Sequence, residues 1–179
     1  MPATTTLSIP DLAGKVVLVT GASTGIGAAL ALAYAAQKSR VALHYNSSQE
    51  AAEKLAKTIR DSGGEVFLVQ GDFSVPADVE RVVEDSAQHF GRLDGLVNNA
   101  GGMLGRIPYA EQPEAHYDAV MDLNARSVLT ASRKAMPWLK KQGGFLVNTS
   151  SIAELNGSVG GASTYGLAQA FRAHSPVAT

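Results

Sequence analysis

Residues 15–27 read KVVLVTGASTGIG. The β-branched run from Lys15 to Thr20 has the make-up of a short buried strand, and it stops at a glycine-punctuated turn. The text that follows, AALALAYAAQK, is rich in alanine and leucine and predicts a helix. Strand, glycine turn and helix in this order can build a phosphate site. Gly21 permits a backbone conformation that a side chain would forbid, Gly25 lets a ligand come close, and Gly27 lets the helix pack on the strand. The helix then directs its first N–H groups and positive dipole end at the anion. Ser23, Thr24 and Ile26 stand between the glycines and join the same candidate site. Glycines at this spacing also close ordinary turns, so the reading depends on what surrounds them.

Outward from this turn, strands and helices alternate. RVALHY (Arg40 to Tyr45) is a second strand, and SSQEAAEKLAKTIRDSGG carries a serine cap, an early glutamate and a glycine stop, all helix punctuation. EVFLVQGD is a third strand. SVPADVERVVEDSAQHFG opens with Ser74 as the cap and Pro76 in the first turn, and it puts Val79, Val82, Val83 and Phe90 on one helical face. Leu93 to Asn99 forms a fourth strand, a long amphipathic segment runs roughly from Glu114 to Lys141, and GFLVNTS (Gly144 to Ser150) is a fifth strand. Short apolar runs separated by helices indicate an α/β chain with a doubly wound parallel sheet of about five strands. Residues 1–11 are expected to be a flexible tail, and 12–179 a single domain.

Composition narrows the chemistry. The chain has 179 residues, 45% of them hydrophobic, which suits one globular core and leaves no room for a second full domain. A formal net charge of -1 gives no overall attraction to nucleic acid or to an anionic membrane. The absence of cysteine excludes disulfides, thiolate metal sites and cysteine nucleophiles. The four histidines have no ligand-like spacing, so no metal site is expected. The N-terminal text lacks a basic region followed by an apolar run, and no apolar stretch approaches the roughly 20 residues of a membrane helix. A soluble, cytoplasmic protein is expected.

The ends of the strands carry the remaining signals. Asp72 closes the third strand in GDF, beside Phe73, where its carboxylate can accept a hydrogen bond from an adenine amine or simply cap a turn. NNAG (Asn98 to Gly101) closes the fourth, so that Asn99, Ala100 and Gly101, like the glycine turn and Asp72, sit at the carboxyl ends of strands, where ligands bind in such sheets. Together with Asn124, NTSSI at the fifth strand and Tyr165, these motifs resemble the short-chain dehydrogenase/reductase family of the classical, ketoreductase-like type. The resemblance runs from about Leu12 to Ala168. It implies a Rossmann-like fold and hydride transfer between a nicotinamide cofactor and a small carbonyl/alcohol substrate. It also implies a homo-oligomer.

The second strand ends HYNSSQE, with neutral Asn46, Ser47 and Ser48 where an NAD-selective site would place a carboxylate. Neutral donors tolerate a 2′-phosphate, and the string is similar to that of NADP(H)-using ketoreductases, so NADP(H) is favoured over NAD(H). By the resemblance, Tyr165 donates the proton, Ser151 or its neighbour Ser150 orients the carbonyl oxygen, and Asn124 supports a water-linked proton path. Tyr165 also belongs to the cofactor site. The family places a lysine four residues after the tyrosine, and here that position is Gln169. An amide carries no charge with which to favour a tyrosinate. The last eleven residues also depart from the family, whose sixth and seventh strands and substrate region have no counterpart, so the chain reads as C-terminally truncated after the tyrosine helix. The expectations that follow are an open apolar edge at the fifth strand, non-native association, doubtful oligomerisation, and a catalytically impaired or inactive nucleotide-binding remnant as the alternative to an active enzyme.

Overall fold

The computed structural model describes residues 8–157 and 160–175. Five parallel strands form one sheet in the order β3-β2-β1-β4-β5: β1 (Val16–Val19), β2 (Arg40–Tyr45), β3 (Val66–Gln70), β4 (Gly95–Asn98) and β5 (Phe145–Asn148). The doubly wound parallel α/β architecture read from the sequence is the one observed, with each strand ending within a residue or two of its expected limits. The chain starts in the middle, at β1, builds outward to β3, then returns across β1 to lay down β4 and β5. That reversal opens a crevice between the carboxyl ends of β1 and β4.

β1 has side chains buried on both faces, which is why its text is a continuous apolar run. Val16 and Leu18 pack on one side with α3 (Pro76–Phe90) and α5 (Ser127–Gln142). Val17 and Val19 pack on the other with α1 (Gly25–Ala36) and α2 (Gln49–Asp61). Each such side chain contributes about 1.5–3 kcal/mol relative to exposure. The start of β1 is held by Asp94, whose carboxylate accepts from the Val16 N–H at 2.9 Å and from a two-pronged Arg92 guanidinium at 2.8 and 2.6 Å. Burial acts on this carboxyl to raise its pKa, but Arg92, the Val16 N–H and Lys15 together hold it below the ordinary range.

The long amphipathic segment is two helices, not one. α4 (Glu114–Met121) and α5 are joined by a single wide π turn, Asp122–Arg126, in which the Ser127 N–H reaches back to the Asp122 carbonyl. Two further helices follow β5: the short α6 (Ala153–Asn156), which the sequence did not announce, and α7 (Ser163–His174), which carries Tyr165. Two expected caps are corrected. Ser48 occupies the cap position of α2, but its hydroxyl makes no capping bond. Ser74 does not cap α3; Val75 holds that place, and Ser74 instead donates to Asp72. Pro76, which lacks an N–H, opens α3 without help from a side chain.

Within the expected tail, the Ile9 N–H donates to Gln37 Oε1 at 2.7 Å, next to a single 3₁₀ turn over Pro10–Leu12. Residues 1–7 of the expected tail and the last four of the eleven residues that depart from the family, 176–179, lie outside the described residues. At the far edge of the sheet, β5 pairs only with β4 among the described residues, and Val147 is 43% exposed.

Candidate active site

The glycine turn has the geometry its sequence requires. Gly21 takes a φ of +62°, and a Cβ there would stand 2.8 Å from Ala100 Cα. Gly27 is buried, and a Cβ would run into the Gly21 carbonyl and the Asn99 side-chain amide. Gly25, at φ +57°, meets nothing within 4 Å on its open side, the clearance a close-lying phosphate needs. The turn is tied to β4 by Asn99, whose Nδ2 donates to the carbonyls of Thr20 and Gly21 at 2.9 and 3.1 Å. Thr20 Oγ1 accepts from the N–H groups of Asn99 and Ala100, each at 2.9 Å.

These ties frame a cleft of about 400 Å³. The first wall is the glycine turn, with Gly21, Ser23, Thr24 and the exposed Ile26. A second wall is Asn46, Ser47 and Ser48 from the end of β2, and a third is Asn99, Ala100 and Gly101. Phe73 closes the side nearest β3. Gly27 lies behind the wall, and Asp72 lies off it; Asp72 Oδ1 accepts from both the N–H and the hydroxyl of Ser74, at 2.9 and 2.7 Å. The sequence reading passed over two wall residues, Leu123 and, on β2, His44. The only signal for His44 was position, two residues before Asn46 on a strand whose end borders the cleft.

The second group of candidates gathers at the ends of β5 and α7. Ser151 and Tyr165 line one smaller cleft of about 220 Å³, together with Met103, Ile152 and Ala162. Ser151 Oγ accepts from the Ala153 N–H at 3.2 Å. The hydroxyl of Ser150 instead lies 2.7 Å from Glu154 Oε2 and 3.0 Å from the Gln169 carbonyl, one proton serving two acceptors. Of the two serines, only Ser151 borders the cleft that holds Tyr165.

Asn124 is fully buried in the π turn and is used up by backbone. Its Nδ2 donates to the carbonyls of Gly102 and Val120, both at 2.8 Å, and its Oδ1 accepts from the Gly102 N–H at 3.0 Å. Gln169 is turned inward as well, with Nε2 reaching Asn124 Oδ1 at 3.4 Å. One turn further on, Arg172 drives a guanidinium beneath the NNAG turn, donating to the Asn98 carbonyl at 2.6 Å and the Ala100 carbonyl at 3.0 Å. Its Nε has no partner among the described residues, and burial brings its pKa down to about 10, with Tyr165 acting the other way. Among the described residues no group of three or more His, Asp or Glu side chains is placed to hold a metal ion.

A sequence profile described as short chain dehydrogenase matches residues 15–172, a span that runs from the start of β1 to Arg172. The chain belongs to the short-chain dehydrogenase family. An uncharacterized oxidoreductase of Methylorubrum extorquens is 41% identical over 141 residues, 79% of this chain and 56% of that protein. An NADH-dependent reductase A1-R′ complexed with NAD superposes with a TM-score of 0.86 at 35% identity, covering 90% of this chain and 70% of that one. A short-chain dehydrogenase from Burkholderia cenocepacia in complex with NADP gives 0.85 at 36%, covering 89% and 64%. The chain thus spans about half the length of the curated relatives it matches. No helix among the described residues is long and apolar enough to cross a membrane.

Proposed function

We propose that this short-chain dehydrogenase chain binds a nicotinamide dinucleotide in the 400 Å³ cleft, preferring NADP(H), and serves hydride transfer to or from a small carbonyl/alcohol compound. The observation that carries the reading is the convergence of the glycine turn, the β2 end and the NNAG turn on a single crevice where the strand order reverses. α1 begins at Gly25, so its first N–H groups and positive dipole end lie beside the open side of Gly25, where the pyrophosphate would lie. Asn46, Ser47 and Ser48 offer neutral donors and no carboxylate to repel a 2′-phosphate. Relatives with NAD and with NADP are both known, so the preference rests on these three side chains.

The bound cofactor supplies the hydride; the chain must supply the proton. Tyr165 is the donor to the developing alkoxide, and Ser151, sharing its cleft, holds the carbonyl oxygen. Asn124 fixes the π turn against Gly102, which keeps α4 and α7 in register beneath Tyr165.

A second reading is favoured by one observation. Gln169 is neutral and buried against Asn124, so the cation that would favour a tyrosinate is missing from its usual place. On this reading the chain binds the dinucleotide with little turnover. Titration with NADPH and NADH, followed by a screen of carbonyl substrates, separates the two: saturable binding with slow reduction supports the second. Gln169→Lys is expected to raise the reduction rate at least about tenfold, the worth of one pKa unit of driving force. An unchanged rate would show that the amide at this position does not limit the chemistry.

A further inference from the structure

We propose that His44 is a positioning residue for the cofactor cleft, a neutral clamp that ties the glycine turn to the end of β3 and sets the Phe73 ring against the ligand. This rests on the cleft being the dinucleotide site. His44 sits in β2, 1% exposed, and both ring nitrogens are engaged. The Gly21 N–H donates to Nδ1 at 2.9 Å. Nε2 lies 3.0 Å from the Gly71 carbonyl. An amide can only donate and a carbonyl can only accept, so the ring must carry its proton on Nε2 and none on Nδ1. Only the neutral form satisfies both bonds.

The consequences run to three of the cleft's walls. Gly21 needs its left-handed φ to pass close to Ala100, and in that conformation its N–H points sideways toward β2, where His44 receives it. Without that acceptor a half-buried donor is left unpaired. Phe73 stacks on the imidazole with ring centroids 4.0 Å apart and lines the cleft. Backbone bonds reinforce the same junction: the Ala22 N–H donates to the His44 carbonyl at 2.7 Å, and the Gly71 N–H to Tyr45 at 3.0 Å. The charged groups around the ring are Asp72 at the end of β3 and Asp78 and Arg81 from α3. They are already paired with one another or with backbone: Asp78 accepts from the Asp72 N–H, and Arg81 donates to Asp78 and to the Gln70 carbonyl. None of them contacts Nδ1, so the imidazole alone receives the Gly21 N–H.

The test compares wild type, His44→Phe and His44→Asn. Phenylalanine keeps the stack and removes both bonds; asparagine restores an acceptor near the Nδ1 position and cannot titrate. NADPH fluorescence titration gives the Kd, and amide hydrogen exchange without ligand reads the Gly21 N–H directly. The clamp predicts that H44F weakens NADPH binding at least about tenfold and speeds Gly21 exchange by a similar factor, while H44N stays within about threefold of wild type in both. Wild-type affinity in H44F, or equal weakening in H44F and H44N, overturns the proposal. If wild type binds neither NADPH nor NADH, the dinucleotide reading is what falls. The exchange rates then still decide the clamp, and equal Gly21 rates in wild type and H44F overturn it.

Discussion

Arg172 brings a guanidinium to a place that gives it two carbonyls and leaves its Nε without a partner among the described residues. A charge taken out of water must be matched by excellent geometry to break even, and replacing such a group by an apolar side chain of similar volume is often stabilising. Of the two carbonyls, that of Asn98 keeps a second donor, the Thr149 N–H at 3.0 Å. Arg172→Met is therefore expected to raise stability by about 1–2 kcal/mol, read as a higher melting temperature. A lower one would mean that the two bonds outweigh the desolvation. His44 makes the opposite kind of case, a group that burial keeps neutral, with its pKa brought down to about 4 from 6.5. The unfolded chain protonates this ring below about pH 6.5 and the native one does not. Stability is thus complete above pH 6.5 and declines as pH falls toward 4, by about 3 kcal/mol at the acid end. Denaturant titrations from pH 7 to 4.5 should show that slope in wild type and lose it in His44→Asn.

Among the elements, the π turn between α4 and α5, like the short α6, was not legible in advance. The text from Glu114 to Lys141 has helical periodicity throughout, and nothing in it marks a change of hydrogen-bond spacing. What forces the change is tertiary: Asn124 turns inward to satisfy the Gly102 N–H and carbonyl. Asn124→Ala removes these bonds and leaves buried backbone groups unpaired, so a loss of about 2–3 kcal/mol in chemical denaturation is expected. A loss under about 0.5 kcal/mol would mean that the turn holds itself. The glycine turn was legible because its requirements are local: Gly21 and Gly25 need positive φ, and strand and helix flank them. His44 and the inward Gln169 were not, because a histidine or glutamine declares nothing until its neighbours across the sheet are known. The Ser74 cap failed for a similar reason, since Asp72 two residues away offered the hydroxyl a stronger acceptor.

At the scale of the whole molecule, the sheet has two edge strands, β3 and β5. β5 is paired on one side only among the described residues, and Val147 and nearby Phe171 leave apolar surface beside unpaired backbone. Such an edge is a template for another strand, and a charge on it is the usual remedy. Light scattering behind size exclusion should show association that grows with concentration, and Val147→Lys should suppress it while leaving cofactor affinity unchanged. A monomer at all concentrations would show that the edge is protected. The alternating pattern made the layers and strand order readable, whereas exposure along β5 depends on what lies beside it in space. The crevice itself has a further consequence, in time. Asn99 bonds to Thr20 across 79 residues of chain, and β1 cannot gain its second neighbour until Gly95–Asn98 exist. During synthesis the glycine turn is therefore unbraced until residues 28–98 have been added. Any nascent chain stalled before the NNAG turn has the glycine turn but no cleft, so on the proposed function nucleotide cannot help it fold.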